Sequence, residues 1–108
     1  MTEKMYHLEY LPIARHDMIE IAVYISHDLC NPLAAGKLAD EMIESAERLT
    51  EFPYINAVYL TVKPLKREYR KLIVRNYIMF YWIDEKNKLV TIARVIYARR
   101  DYGKMLLP

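Results

Sequence analysis

The sequence predicts an α+β fold of order β-α-α-β-β-β, an antiparallel sheet with an N-terminal helical hairpin packed on one face. Three observations carry this. Apolar residues recur at helical spacing from Ala14 to Leu49. Asn31-Pro32 interrupts that period once and Phe52-Pro53 ends it. Beyond residue 68 the helical period gives way to three β-rich runs separated by turns of hairpin length.

Taken in order, residues 5–11 alternate as a short strand, with Tyr6, Leu8 and Tyr10 on one face. Pro12 sits where a helix begins, since its missing N–H would be an orphan there anyway. Ala14, Met18, Ile21, Ala22, Ile25 and Leu29 form the first apolar stripe, with Arg15, Asp17, Glu20 and Asp28 turned away from it. A second helix is predicted over roughly residues 33–50, its stripe running Ala35, Leu38, Ala39, Met42, Ala46, Leu49. Its other face carries Asp40, Glu41, Glu44 and Glu47, read as a solvated surface. So short a break between two helices makes an antiparallel hairpin. Residues 54–66 read as a loop with a short extended piece at Val58–Val62. Tyr69–Val74, Tyr77–Ile83 and Leu89–Tyr97 are the three later strands, and Asp101–Pro108 a helical turn or a tail.

The length of 108 residues suits one domain spanning 1–108, large enough to bury a core without staples. A single cysteine, Cys30, excludes an internal disulfide. No apolar run follows a basic start, and no stretch approaches about 18 apolar residues, so the expected setting is the cytoplasm, with no membrane partner. His7, His16 and His27 fall at no metal-ligand spacing, and Gly36 and Gly103 stand alone, which excludes a glycine-rich phosphate loop. No metal and no cofactor are expected.

Charge is divided unequally. Residues 1–57 hold four basic and ten acidic residues, a net of −6; residues 58–108 hold twelve and four, a net of +8. Lys63, Lys66, Arg67, Arg70, Lys71 and Arg75 form one basic group, and Arg94, Arg99, Arg100 and Lys104 another. If their strands share a sheet, both groups reach one rim or face. Guanidinium groups match phosphate bidentately, and Tyr69, Tyr77, Tyr97 and Tyr102 are placed to stack on bases. The same residues equally suit acidic side chains of a protein partner. In the strand 77–83, Tyr77, Met79, Tyr81 and Ile83 oppose Ile78, Phe80 and Trp82, so both faces are apolar. Helices cover one face; the other needs a partner or a folded-over segment.

Several of these residues, in this order, resemble the RelE/ParE toxin superfamily: Pro12, Ala14 and Asp17, then Tyr24-Ile25, the Phe52-Pro53 stop, Tyr69-Arg70, and Val74-Arg75-Asn76-Tyr77. Phe80-Tyr81 and the closing Val95-Ile96-Tyr97-Ala98-Arg99-Arg100-Asp101 extend the likeness over nearly the whole chain. The resemblance implies a toxin of a type II toxin–antitoxin pair, with an acidic antitoxin segment over the sheet and basic rim in a hetero-oligomer. Its partner- or target-binding residues would be Lys66, Arg67, Arg70, Lys71, Arg75, Tyr77, Arg94, Arg99, Arg100 and Tyr102.

Members of the superfamily divide between two targets. RelE-like members cut mRNA on the ribosome; here that role would fall to Arg70, Arg94 and Arg100 for phosphate, with Tyr97 and Tyr102 for protons. Ile78 follows Tyr77 where ribonuclease members often carry arginine, and Tyr97 stands where many carry histidine. A tyrosine near pKa 10 is a poor base. ParE-like members bind DNA gyrase without chemistry of their own, and the long hairpin of residues 13–50 with Arg99-Arg100-Asp101 favours that branch. A repurposed interaction module is the third reading.

Overall fold

Leu11 stays extended at φ −65° and ψ 149°, and Pro12 then opens helix α1 (Pro12–Val23) behind strand β1 (His7–Tyr10). In the computed structural model, which describes residues 5–61 and 65–106, α1 runs on through a π-helical turn, Tyr24–Asp28. There the Leu29 N–H reaches the Tyr24 carbonyl at 3.1 Å, and Cys30 reverses the chain at φ 52°. Helix α2 (Pro32–Arg48) starts where the Asn31 side chain accepts the Ala34 N–H at 3.1 Å. That side chain satisfies one of the amides a helix start leaves unpaired. The predicted stripe of α2 is buried at Ala35, Leu38, Met42 and Ala46, with Leu49 closing it.

Strands β2 (Arg70–Val74), β3 (Tyr77–Asp84) and β4 (Leu89–Tyr97) form the predicted meander, and helix α3 (Tyr102–Leu106) closes the described chain. Arg75 and Lys88 supply left-handed turn residues at φ 53° and 52°. The sheet order is β1-β4-β3-β2. One expectation is corrected: β1 pairs with β4 in parallel, His7 to Leu89 through Tyr10 to Ile92, so the sheet is mixed. Tight turns force β2, β3 and β4 to alternate in direction. β1 is joined to the sheet through a helical hairpin and is free of that constraint. Between β3 and β4 the register shifts after Phe80, which faces Arg94 while Tyr81 faces Ile92, so Ala93 is bulged.

Both faces of β3 are covered. Met79 and Tyr81 bury against the hairpin with Leu38, Met42, Val90 and Ile92. Ile78 and Phe80 bury on the opposite face with Ile96 and Leu106, under Tyr59, Leu65, Tyr69, Tyr102 and Met105. Of the two ways to cover that face, the chain uses its own folded-over segment, and the apolar face makes no demand for a partner. The extended piece is reduced to a bridge from Val58 to Arg70, with the Tyr59 N–H on the Tyr69 carbonyl at 2.8 Å. Val62, Lys63 and Pro64 lie outside the described residues. Among the described residues no helix is long and apolar enough to cross a membrane.

Candidate functional site

Helix α1 crosses β4 beyond the point where β1 ends. The Val95 N–H there has no neighbouring strand, and the Asp17 carboxylate accepts it at 2.9 Å. The same carboxylate accepts Arg94 Nε at 2.8 Å and Nη2 at 3.1 Å. Arg94 in turn reaches the Met105 carbonyl at 3.5 Å. One ion pair therefore ties α1, the free edge of β4 and α3. Asp17 holds the Arg94 guanidinium above its ordinary pKa, chiefly through the direct hydrogen bond. Expected on the polar side of α1, Asp17 is buried; its spacing of three from Ala14 and four from Ile21 places it on the same helical face.

This pair lies in a cleft of about 1150 Å³ between the hairpin and the Tyr77–Tyr97 end of the sheet. Its apolar lining comes from Ile21, Leu38, Val95 and Ile96, and the π-helical turn brings Tyr24 and Leu29 to it. Tyr77 and Tyr97 stand with ring centroids 5.6 Å apart, and burial raises the pKa of Tyr77. Lys37, Arg75, Arg94 and Arg100 supply cations and Asp17 and Glu20 carboxylates. Arg75 is held by Glu41 through two bonds, of 2.7 and 2.6 Å. Glu41, read from the sequence as solvated surface, is thus a clamp between α2 and the β2–β3 turn. The cleft is thus lined by apolar side chains together with four cations and two carboxylates.

The predicted basic cluster does not form a single rim. Arg75, Tyr77, Arg94, Tyr97 and Arg100 gather around the cleft. Arg70 does not join them. It faces Tyr81, four residues along β3 from the Tyr77–Tyr97 pair, a separation of about 13 Å. There Arg70 donates to the Asn56 carbonyl at 2.6 Å and lies 4.9 Å from the Tyr54 ring centre. Lys71 and Tyr102 belong to the opposite face, where the Lys71 ammonium is 5.4 Å from the Tyr102 ring centre. Arg67 stacks at 4.3 Å on Trp82. Lys66 and Arg99 are exposed. Sequence reasoning missed Lys37 and Tyr24 as lining residues and read Leu29 as part of the hairpin's apolar stripe, because the π-helical turn before Leu29 departs from the helical period. Among the described residues no group of three or more His, Cys, Asp or Glu side chains is placed to hold a metal.

Three carboxylates, Glu41 and Asp84 partly exposed and Glu85 exposed, are held below their ordinary pKa: Glu41 by its hydrogen bonds from Arg75, Asp84 by Asn87, and Glu85 by Tyr6 and then Lys88. A depressed folded pKa means that the unfolded chain binds more protons in that range. Their stabilisation is therefore complete above about pH 5 and is lost as pH falls through the folded values. Melting temperature should decline steeply from pH 5 to pH 3, and Glu41→Gln together with Glu85→Gln should flatten that limb. An unchanged acid limb in the double variant would refute the assignment.

A family model described as the ParE toxin of the type II toxin–antitoxin system parDE matches residues 8–102. No match is found among the curated proteins. Among solved structures, the chain is similar to one from the chromosomal ParDE system of P. aeruginosa, with a TM-score of 0.71 at 18% identity, over 90% of this chain and 100% of that one. It is similar to a chain of the RelBE2 toxin–antitoxin complex of Mycobacterium tuberculosis, with a TM-score of 0.59 at 22% identity, over 85% and 96% of the two chains. The archaeal RelE–RelB complex of Pyrococcus horikoshii OT3 gives 0.60 at 13% identity, over 89% and 98%. At these identities the solved structures establish the shared fold, and the family match extends from β1 to the start of α3. The chain belongs to the ParE toxin family of type II toxin–antitoxin systems.

Proposed function

We propose that the protein inhibits growth by binding DNA gyrase, without cutting RNA, and that an acidic antitoxin restrains it from the cleft between hairpin and sheet. The observation that carries the gyrase reading is the commitment of two of the three arginines that RNA cleavage would use, Arg94 and Arg70, which leaves Arg100 as the free one. RNA cleavage through a 2′-OH needs a base, an acid and a free cation at one phosphate. Arg94 is bound by Asp17, and Arg70 is enclosed by Asn56 and Tyr54 far from Tyr97. His7, His16 and His27 are not among the cleft-lining residues; His16 pairs with Glu20 at 3.0 Å, both side chains largely in solvent. Purified protein should trap gyrase–DNA cleavage complexes. Normal supercoiling and no trapped complex at saturating protein would overturn the reading, and codon-dependent cuts in ribosome-bound message would replace it with the RelE-like one.

The antitoxin reading rests on the lining of the cleft. An amphipathic segment would set apolar side chains against Leu38, Val95 and Tyr97 and carboxylates against Lys37 and Arg100, which have no ion-pair partner among the described residues. Reversing both charges, Lys37→Glu with Arg100→Glu, should weaken antitoxin binding roughly 10–100-fold, mainly through slower association. Biolayer interferometry against immobilised antitoxin measures this, and unchanged kinetics would move the antitoxin elsewhere.

A further inference from the structure

On the side of the sheet away from the hairpin, cations and aromatic rings alternate across β2, β3 and the C-terminal turn. The Lys71 ammonium lies 5.5 Å from the Tyr59 ring centre and 5.4 Å from that of Tyr102. Arg67 covers Trp82 at 4.3 Å. Tyr102 packs on Tyr59 and Phe80 at 5.6 and 5.3 Å. Next in sequence to Arg67 and three residues before Tyr102, Lys66 and Arg99 are exposed with no ion-pair partner among the described residues, and Lys104 meets Asp101 at 3.9 Å with both side chains largely in solvent.

We propose that this face is a contact surface for the phosphate backbone of duplex DNA. A cluster of positive charge calls for an anionic partner, and the rings decide which kind. Single-stranded RNA is gripped by stacking its unpaired bases on open aromatic faces. Here Tyr59, Tyr102 and Trp82 are already covered by the chain's own cations, so the face offers charge and few free ring surfaces. Such a surface reads phosphates and not bases, which suits a duplex whose bases are already paired. The inference deepens the gyrase reading, since gyrase works on duplex DNA and its inhibitor would touch both; the binding measurement itself needs no gyrase.

The test is fluorescence anisotropy of the full-length toxin with a random-sequence 30-base-pair DNA duplex, a single-stranded RNA of equal length and poly-glutamate, across a salt series. Duplex binding is expected, with affinity falling about 3–4 decades per decade of salt if four phosphates are neutralised. Lys66→Gln, Arg99→Gln and Lys104→Gln together should reduce that slope by roughly 2.7. These side chains are exposed, so circular dichroism should show the variant folded. Tighter binding to RNA, equal binding to poly-glutamate, absent duplex binding at low salt, or an unchanged slope in the folded variant would each overturn the proposal. Gyrase trapping without duplex affinity would leave the gyrase reading standing and remove this contact; duplex affinity without trapping would do the reverse.

Discussion

Replacing Asp17 with alanine is expected to remove about 3–5 kcal/mol of folding stability, the usual loss when one partner of a buried ion pair is deleted. Two groups are stranded together. The side chain of Arg94 is 18% exposed and loses its counter-charge, and the Val95 N–H at the open edge of β4 loses its acceptor. The bond from Arg94 to the Met105 carbonyl would also weaken, loosening α3. For a domain of this size the melting temperature should fall by roughly 15 °C or more. Asp17→Asn keeps an acceptor for Val95 and should lose less. Combining Asp17→Ala with Arg94→Met should recover part of the loss, because no buried charge is then left alone. Urea unfolding of the three variants measures the series, and a loss under about 1 kcal/mol for Asp17→Ala would show that the pair does not bind these elements together.

Phe80→Ala carries an effect of similar size for a different reason. Phe80 is 0% exposed and surrounded by Tyr59, Tyr69 and Tyr102, with centroids 5.6, 6.4 and 5.3 Å away. Truncating a buried phenylalanine removes about 3–5 kcal/mol through lost transfer free energy and the cavity left behind. What distinguishes this variant is where the damage falls. The hairpin side of the sheet keeps its contacts, whereas the segment over Ile78 and the short α3 lose the ring they rest on. Limited proteolysis should cut near residues 65–69 and 99–106 before it cuts the hairpin. Uniform digestion would contradict a covering that depends on Phe80.

These two residues mark what a linear reading reaches. The hairpin was legible because Ala14, Ile21, Leu38 and Met42 repeat at helical spacing, and the strands because β-rich runs alternate between turn residues. Phe80 was legible as core by alternation; that Tyr59, Leu65, Tyr69 and residues 102–106 would cover that face was not, since neither segment has a period that declares which face it seeks. The direction of β1 was hidden for a related reason: it depends on an element 82 positions away. At the candidate site, Tyr77, Arg94 and Arg100, all among the ten binding residues the resemblance implied, line one cleft. Charge alone could not separate Arg94 and Arg70, which the chain consumes internally, from Arg99 and Arg100, which it leaves to solvent. That distinction needs the acceptors, Asp17 and the Asn56 carbonyl, and neither lies close in sequence to its arginine.

The parallel pairing of β1 with β4 also sets a clock on the protein's synthesis. β1 precedes the other described strands and, among the described residues, finds its sheet neighbour in residues 89–92. While the chain is on the ribosome, its first strand has nowhere to dock, and the Asp17 carboxylate waits for an arginine made 77 residues later. Contacts this distant in sequence form late and slowly. The cleft, bounded by the hairpin on one side and by β3 and β4 on the other, therefore forms only after residues 89–100 have been made and are free to pair. A toxin built this way has no assembled cleft until those residues are made, and a partner that binds there meets a finished surface rather than a nascent one.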